Sequence, residues 1–138
     1  MDDTSARFLP SLVAVVVAAV SAFLLGGVWY SPALFGKPWQ RETGITEPPN
    51  GAGVARVMGF TLLAEFIVVL TLGHQFAFSD PSDRGKMMIA TGFGLTVMAP
   101  AIGITYLYMR KSLKLFLIDA SHFVVGMAAV GAVFVLLD

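Results

Sequence analysis

Four long stretches almost free of charge constrain this chain more than any other feature. No Asp, Glu, Lys or Arg occurs from Phe8 to Gly36 or from Met87 to Met109. Val57 to Ser79 holds only Glu65, and Leu115 to Leu137 holds only Asp119. An α-helix rises about 1.5 Å per residue, so about 20 apolar residues cross the hydrocarbon of a bilayer. Each stretch has that reach, whereas a membrane barrel would need segments of about ten residues alternating apolar and polar. The pattern predicts an all-α integral membrane bundle of four transmembrane helices, near residues 10–30, 52–78, 84–108 and 114–137, in a single domain over 1–138. Composition agrees. The 138 residues are 57% hydrophobic and 13% charged, about half the charge of a soluble domain. Such a chain needs lipid as its solvent. Nine basic and nine acidic side chains cancel, so no electrostatic footprint for nucleic acid is present. Without cysteine there are no disulfides and no thiolate metal sites.

Val20-Ser21-Ala22 resembles a small-residue cleavage site, but the leader Met1-Asp2-Asp3 is acidic and the apolar run continues through Phe23-Leu24-Leu25. A retained first span is expected. Four spans put both termini on one side, with Arg7, Arg84 and Lys86. The other side receives Lys37, Arg41, Arg56, Arg110, Lys111 and Lys114. Lysine and arginine favour the cytoplasmic face, so the first and third loops are expected inside and both termini outside. Pro10 suits a first helical turn, and Ser82 or Asp83 can cap the third span. Pro100 predicts a kink within that span, because it removes the hydrogen bond to the Thr96 carbonyl.

Ala14, Ala18, Ala22 and Gly26 recur every four residues and form a small-residue stripe along the first span. In lipid, small residues let helix backbones approach closely. Ala19, off the stripe, is the expected lipid-facing contrast. Just beyond this helix, Gly26 to Trp39 gathers both tryptophans, Tyr30, Lys37 and two prolines. Trp29, Tyr30, Lys37 and Trp39 are expected as interfacial anchors, with apolar bodies in the acyl boundary and polar tips among the headgroups.

The run Gly27-Val28-Trp29-Tyr30-Ser31-Pro32-Ala33-Leu34-Phe35-Gly36-Lys37-Pro38-Trp39 resembles the motif of the DUF1761 family of small bacterial membrane proteins, G-x-W-Y-S-P-x-L-F-G-K-x-W. Ser112 to Ala120 is similar to that family's S-L-K-L-F-L-I-N-A segment, with Asp119 where Asn is usual. Ser121-His122 also departs from the usual glycine and aromatic. The resemblance covers essentially the whole chain. It implies a four-helix protein of the bacterial inner membrane and brings no activity with it.

Few residues could carry chemistry. Glu65 lies near the middle of the second span, where an ionisable side chain is costly and suggests function. Asp119 and His122 are three apart, hence on one helix face. Counted from the expected cytoplasmic ends, Glu65 lies about 16 Å deep and His122 about 12 Å. Neighbouring second and fourth spans would let Glu65, Asp119 and His122 form one intramembrane polar cluster. Ser121 beside His122 makes no hydrolytic triad, since adjacent helical residues do not face each other. His74 is expected at the outer interface. Two histidines are too few for a zinc site, so no metal and no cofactor are expected. These features suggest a protein that is not an enzyme: an accessory or scaffolding subunit packed against other membrane subunits, or a homo-oligomer. A proton-coupled small transporter using Glu65, Asp119 and His122 is the alternative, followed by a pigment- or haem-binding subunit ligated by His122.

Overall fold

The computed structural model describes residues 9–138; Asp2, Asp3 and Arg7 lie outside the described residues. Among the described residues six α-helices follow one another: α1 (Leu12–Trp29), α2 (Gly36–Thr43), α3 (Ala52–Ser79), α4 (Asp83–Phe93), α5 (Ala99–Tyr108) and α6 (Leu113–Leu137). A π-helical turn, Gly94–Met98, joins α4 to α5 into one span, Asp83–Tyr108. With α1, α3 and α6 this makes four helices long and apolar enough to cross a membrane. Serine starts three of them. Ser11, Ser82 and Ser112 each accept a hydrogen bond from the backbone N–H three residues on, satisfying a donor that the first turn leaves open. Pro10 therefore lies just before the Ser11 cap rather than inside the helix.

Pro100 acts through the π turn. The Ala99 N–H donates to the Gly94 carbonyl, five residues back, so the helix widens directly before the residue that cannot donate. Such one-turn insertions let a helix continue past a missing bond.

The hub is α6, which packs against α1, α4, the π turn, α5 and α2. Its buried residues include Leu115, Ile118, Asp119, His122, Gly126, Met127, Val130 and Phe134, which recur at helical spacing along one broad face. The core joins these to Val69, Leu72 and Phe76 of α3, Ala90 of α4 and the small residues of α1. Phe76 meets Phe134 edge-on, ring centroids 5.3 Å apart, a geometry contributing about 0.5–1.5 kcal/mol beyond area burial.

The α1 stripe is an interface within the chain. Ala14, Ala18 and Ala22 are buried, and Gly26 lies against His122 of α6. Ala19 does not face lipid, contrary to expectation. It is 2% exposed and, with Val16 and Val20, faces Gly59, Leu62 and Leu63 of α3. Ala19 thus belongs to a second buried face of α1, because the helix packs against both α6 and α3.

Helix α3 is held differently. Its buried residues, Val69, Leu72, Gly73 and Phe76, all lie in its second half. From Ala52 to Ala64 every residue is exposed except half-buried Gly53. The first half stands away from α5 and α6 and leaves an open cleft.

Candidate functional site: a tyrosine–aspartate–tyrosine latch beside an apolar cleft

The segment after α1 reverses within a few residues. Phe35 N–H donates to the Trp29 carbonyl at 2.9 Å, and Gly36 N–H to the Ser31 carbonyl at 3.0 Å. A Cβ on Gly36 would run into the Tyr30 and Ser31 carbonyl oxygens, so only glycine fits the fold-back. The turn launches α2 and stacks Phe35 on Trp29, centroids 4.8 Å apart. It also returns Trp39 to the Tyr30 ring at 6.0 Å, steeply inclined at 71°.

This geometry revises the anchor reading for two residues. The Trp29 indole N–H donates to the Ile118 carbonyl at 3.0 Å, and the Tyr30 hydroxyl donates to Asp119 Oδ1 at 2.7 Å. Both polar tips are committed to α6 inside the protein, not to headgroups. Lys37 is exposed and Trp39 half-buried. The motif is a clamp that ties the end of α1 to the start of α6.

Asp119 is 6% exposed and accepts at both oxygens, since the Tyr106 hydroxyl from α5 donates to Oδ2. One carboxylate therefore latches three spans. This pattern satisfies a group that accepts only, and it answers the cost of a polar group in hydrocarbon. Tyr106 did not emerge from the sequence. Its signal was weak: a phenol two residues before the expected end of the third span.

The expected cluster of Glu65, Asp119 and His122 is divided. Asp119 turns to the tyrosines. His122, 7% exposed, sits under Tyr30 with ring centroids 5.2 Å apart. Its Nδ1 is buried and lacks a hydrogen-bond partner among the described residues. Half-buried Glu65 shares with His122 a cavity of about 10 Å3, bounded also by Ala22, Met98 and Met127. That volume is close to what one water occupies. With so little space, and Gly26, Tyr30 and Phe123 closing on the imidazole, no tetrapyrrole fits against His122. Ser121 gives its hydroxyl to the Leu117 and Ile118 carbonyls. His74 is exposed, and no group of three His, Cys, Asp or Glu able to hold a metal occurs among the described residues.

Above the latch opens a cleft of about 1000 Å3 between α2, the first half of α3, α5 and α6. Val57, Met58, Ala101, Ile102, Leu115 and Phe123 supply apolar wall, and the polar lining includes Tyr30, Tyr106 and Asp119 together with Gln40, Glu47 and Lys111. Size and lining are those of a binding site for an organic molecule. The same end of the bundle is closed by Ser112, whose hydroxyl donates to Glu42 Oε2 of α2 at 2.6 Å.

No curated protein and no solved structure matches this chain. Residues 13–135 match the family described as protein of unknown function, DUF1761. With the match covering most of the sequence, the chain belongs to the DUF1761 family.

Proposed function

We propose that this protein is a non-enzymatic membrane subunit that packs against a larger membrane assembly and offers α3 to a transmembrane helix of a partner. The observation that supports this reading is the one-sided attachment of α3, whose buried residues are confined to its second half. The polar groups Trp29, Tyr30, Tyr106 and Asp119 are engaged in holding spans together, a structural use rather than a catalytic one. Ala64→Trp tests the idea, because lipid accommodates added bulk on an exposed face and a packed helix interface does not. In membranes of the cell that makes it, the wild-type chain is expected to size as an assembly containing other subunits, and Ala64→Trp to release a folded, smaller species. A wild-type chain found alone or only with copies of itself would overturn the reading.

The proton-coupled alternative is favoured by the water-sized cavity that Glu65 shares with His122. Glu65→Gln separates the two, since an amide keeps the shape but cannot cycle a proton. A subunit role leaves assembly and phenotype unchanged in this variant. Proton flux in liposomes that disappears with Glu65→Gln would sink the subunit reading.

The proposed location is the bacterial inner membrane, with the loops around α2 and around Ser112 in the cytoplasm and both termini outside. Lys37, Arg41, Arg56, Arg110, Lys111 and Lys114 on that side, against Arg7, Arg84 and Lys86 in the sequence on the other, support the orientation. Single cysteines at Thr46 and Asp83 avoid the capping serines. An impermeant thiol reagent added to intact cells is expected to label the Asp83 site and spare the Thr46 site; the reverse would invert the topology.

A further inference from the structure

We propose that the cleft above the latch binds a hydrophobic organic cation: an ammonium or phosphonium centre carrying apolar substituents. Val57 and Met58 belong to the half of α3 offered to a partner, so a partner helix on α3 has to leave the cleft side open. Three features point to that chemistry. First, the cleft is mostly apolar, and its walls include Val57 and Met58, which are 46% and 43% exposed. A ligand can enter sideways from the bilayer, which selects for an apolar body. Second, the charged residues of the lining are Glu47, Lys111 and Asp119, two acids against one base. The groups that Asp119 bonds to are two phenols rather than a lysine or arginine, so Lys111 is the one basic counterpart of the two acids in the lining. In surroundings of low dielectric an excess of acidic over basic groups favours a cation. Third, Tyr30 and Trp39 meet at 71° with centroids 6.0 Å apart, and Tyr106 and Phe123 line the same space. Aromatic rings bordering a site attract a cation too bulky to hydrogen-bond.

The combination discriminates. A neutral lipophile gains nothing from Asp119, an anion is repelled, and a small hydrated cation is better solvated in water. The positive group could belong to a lipid headgroup or to a free amphiphile; the chemistry recognised is the same.

Tetraphenylphosphonium is the probe, with tetraphenylborate as the anion of similar size and shape. The full chain is held in an uncharged maltoside detergent, and binding is measured by equilibrium dialysis against protein-free micelles. Saturable binding of the phosphonium but not the borate is expected. Asp119→Asn should weaken it about tenfold or more, given the loss of a charge–charge attraction in low dielectric. Ala101→Trp, which fills the wall without touching the latch, should abolish it even if Asp119→Asn folds poorly. Displacement by phosphatidylethanolamine would identify a lipid headgroup as the natural cation, and its failure a free amphiphile. Absence of saturable phosphonium binding, equal binding of the borate, or binding that survives Ala101→Trp would overturn the proposal.

Discussion

Gly94→Leu is expected to leave little or no folded protein. Gly94 lies where the π turn crosses α6, and a Cβ there would stand 2.9 Å from the Val124 Cα and 3.1 Å from the Phe123 carbonyl oxygen. Both are backbone atoms, which cannot rotate away as a side-chain tip can. The helices would have to separate along their length, at a cost on the order of 3 kcal/mol or more. Gly94→Ala introduces the same first clash and should be destabilised in the same direction. Gly92, two residues earlier, has open space around it, with nothing within 4 Å of where a Cβ would stand. Gly92→Ala should therefore be neutral or gain up to about 1 kcal/mol from helix propensity. Unfolding in mixed micelles, followed by circular dichroism, ranks the three variants. A Gly94→Leu protein as stable as wild type would show that α6 does not approach this closely.

The second large effect is expected at Asp119. Asp119→Leu removes the acceptor for the Tyr30 and Tyr106 hydroxyls together. Each orphaned donor costs about 1–3 kcal/mol, and water is scarce at this depth, so a loss of about 3 kcal/mol is expected. Asp119→Asn retains one acceptor oxygen, and a phenol oxygen can accept from the new amide. Its loss should be about 1 kcal/mol. Tyr30→Phe and Tyr106→Phe each leave one carboxylate oxygen without its donor. Because the three groups form one network, the double variant should not equal the sum of the singles. The same unfolding assay reads all of these. Equal stability of Asp119→Leu and wild type would mean that the latch does not hold the spans together.

The membrane-spanning pattern was legible because it rests on one-dimensional quantities. A span announces itself by length and lack of charge, and the observed helices lie within two residues of the expected limits at each end. Ser82 marked a helix start for a similarly local reason. The error at Ala19 came from reading α1 as a helix with one neighbour. A helix packed against two others buries more than one face, and no periodicity within the helix says which neighbours it has.

The polar residues show the limit more sharply. Asp119 and His122 were recognisable as costly, buried candidates from their place in an apolar span, and both are buried. Their partners were not recognisable. Tyr30 and Tyr106 are separated from Asp119 by 89 and 13 positions, and either phenol by itself suits an interfacial residue. Trp29 misled in the same way, since an indole at a helix end serves headgroups or a neighbouring carbonyl equally well.

By itself, then, the sequence determined the solvent, the number of spans and the approximate ends of each, since these follow from hydrophobicity, charge spacing and capping along the chain. It also marked the stretch from Gly26 to Trp39 as special, though not what it does. Tertiary structure alone decided that the polar tips of Trp29 and Tyr30 turn inward, that Asp119 joins the tyrosines rather than Glu65, and that α3 stands off to open a cleft. Those outcomes depend on which helices are neighbours. In lipid that choice is made by close packing and by satisfying each polar group across a helix interface, quantities that exist only between segments.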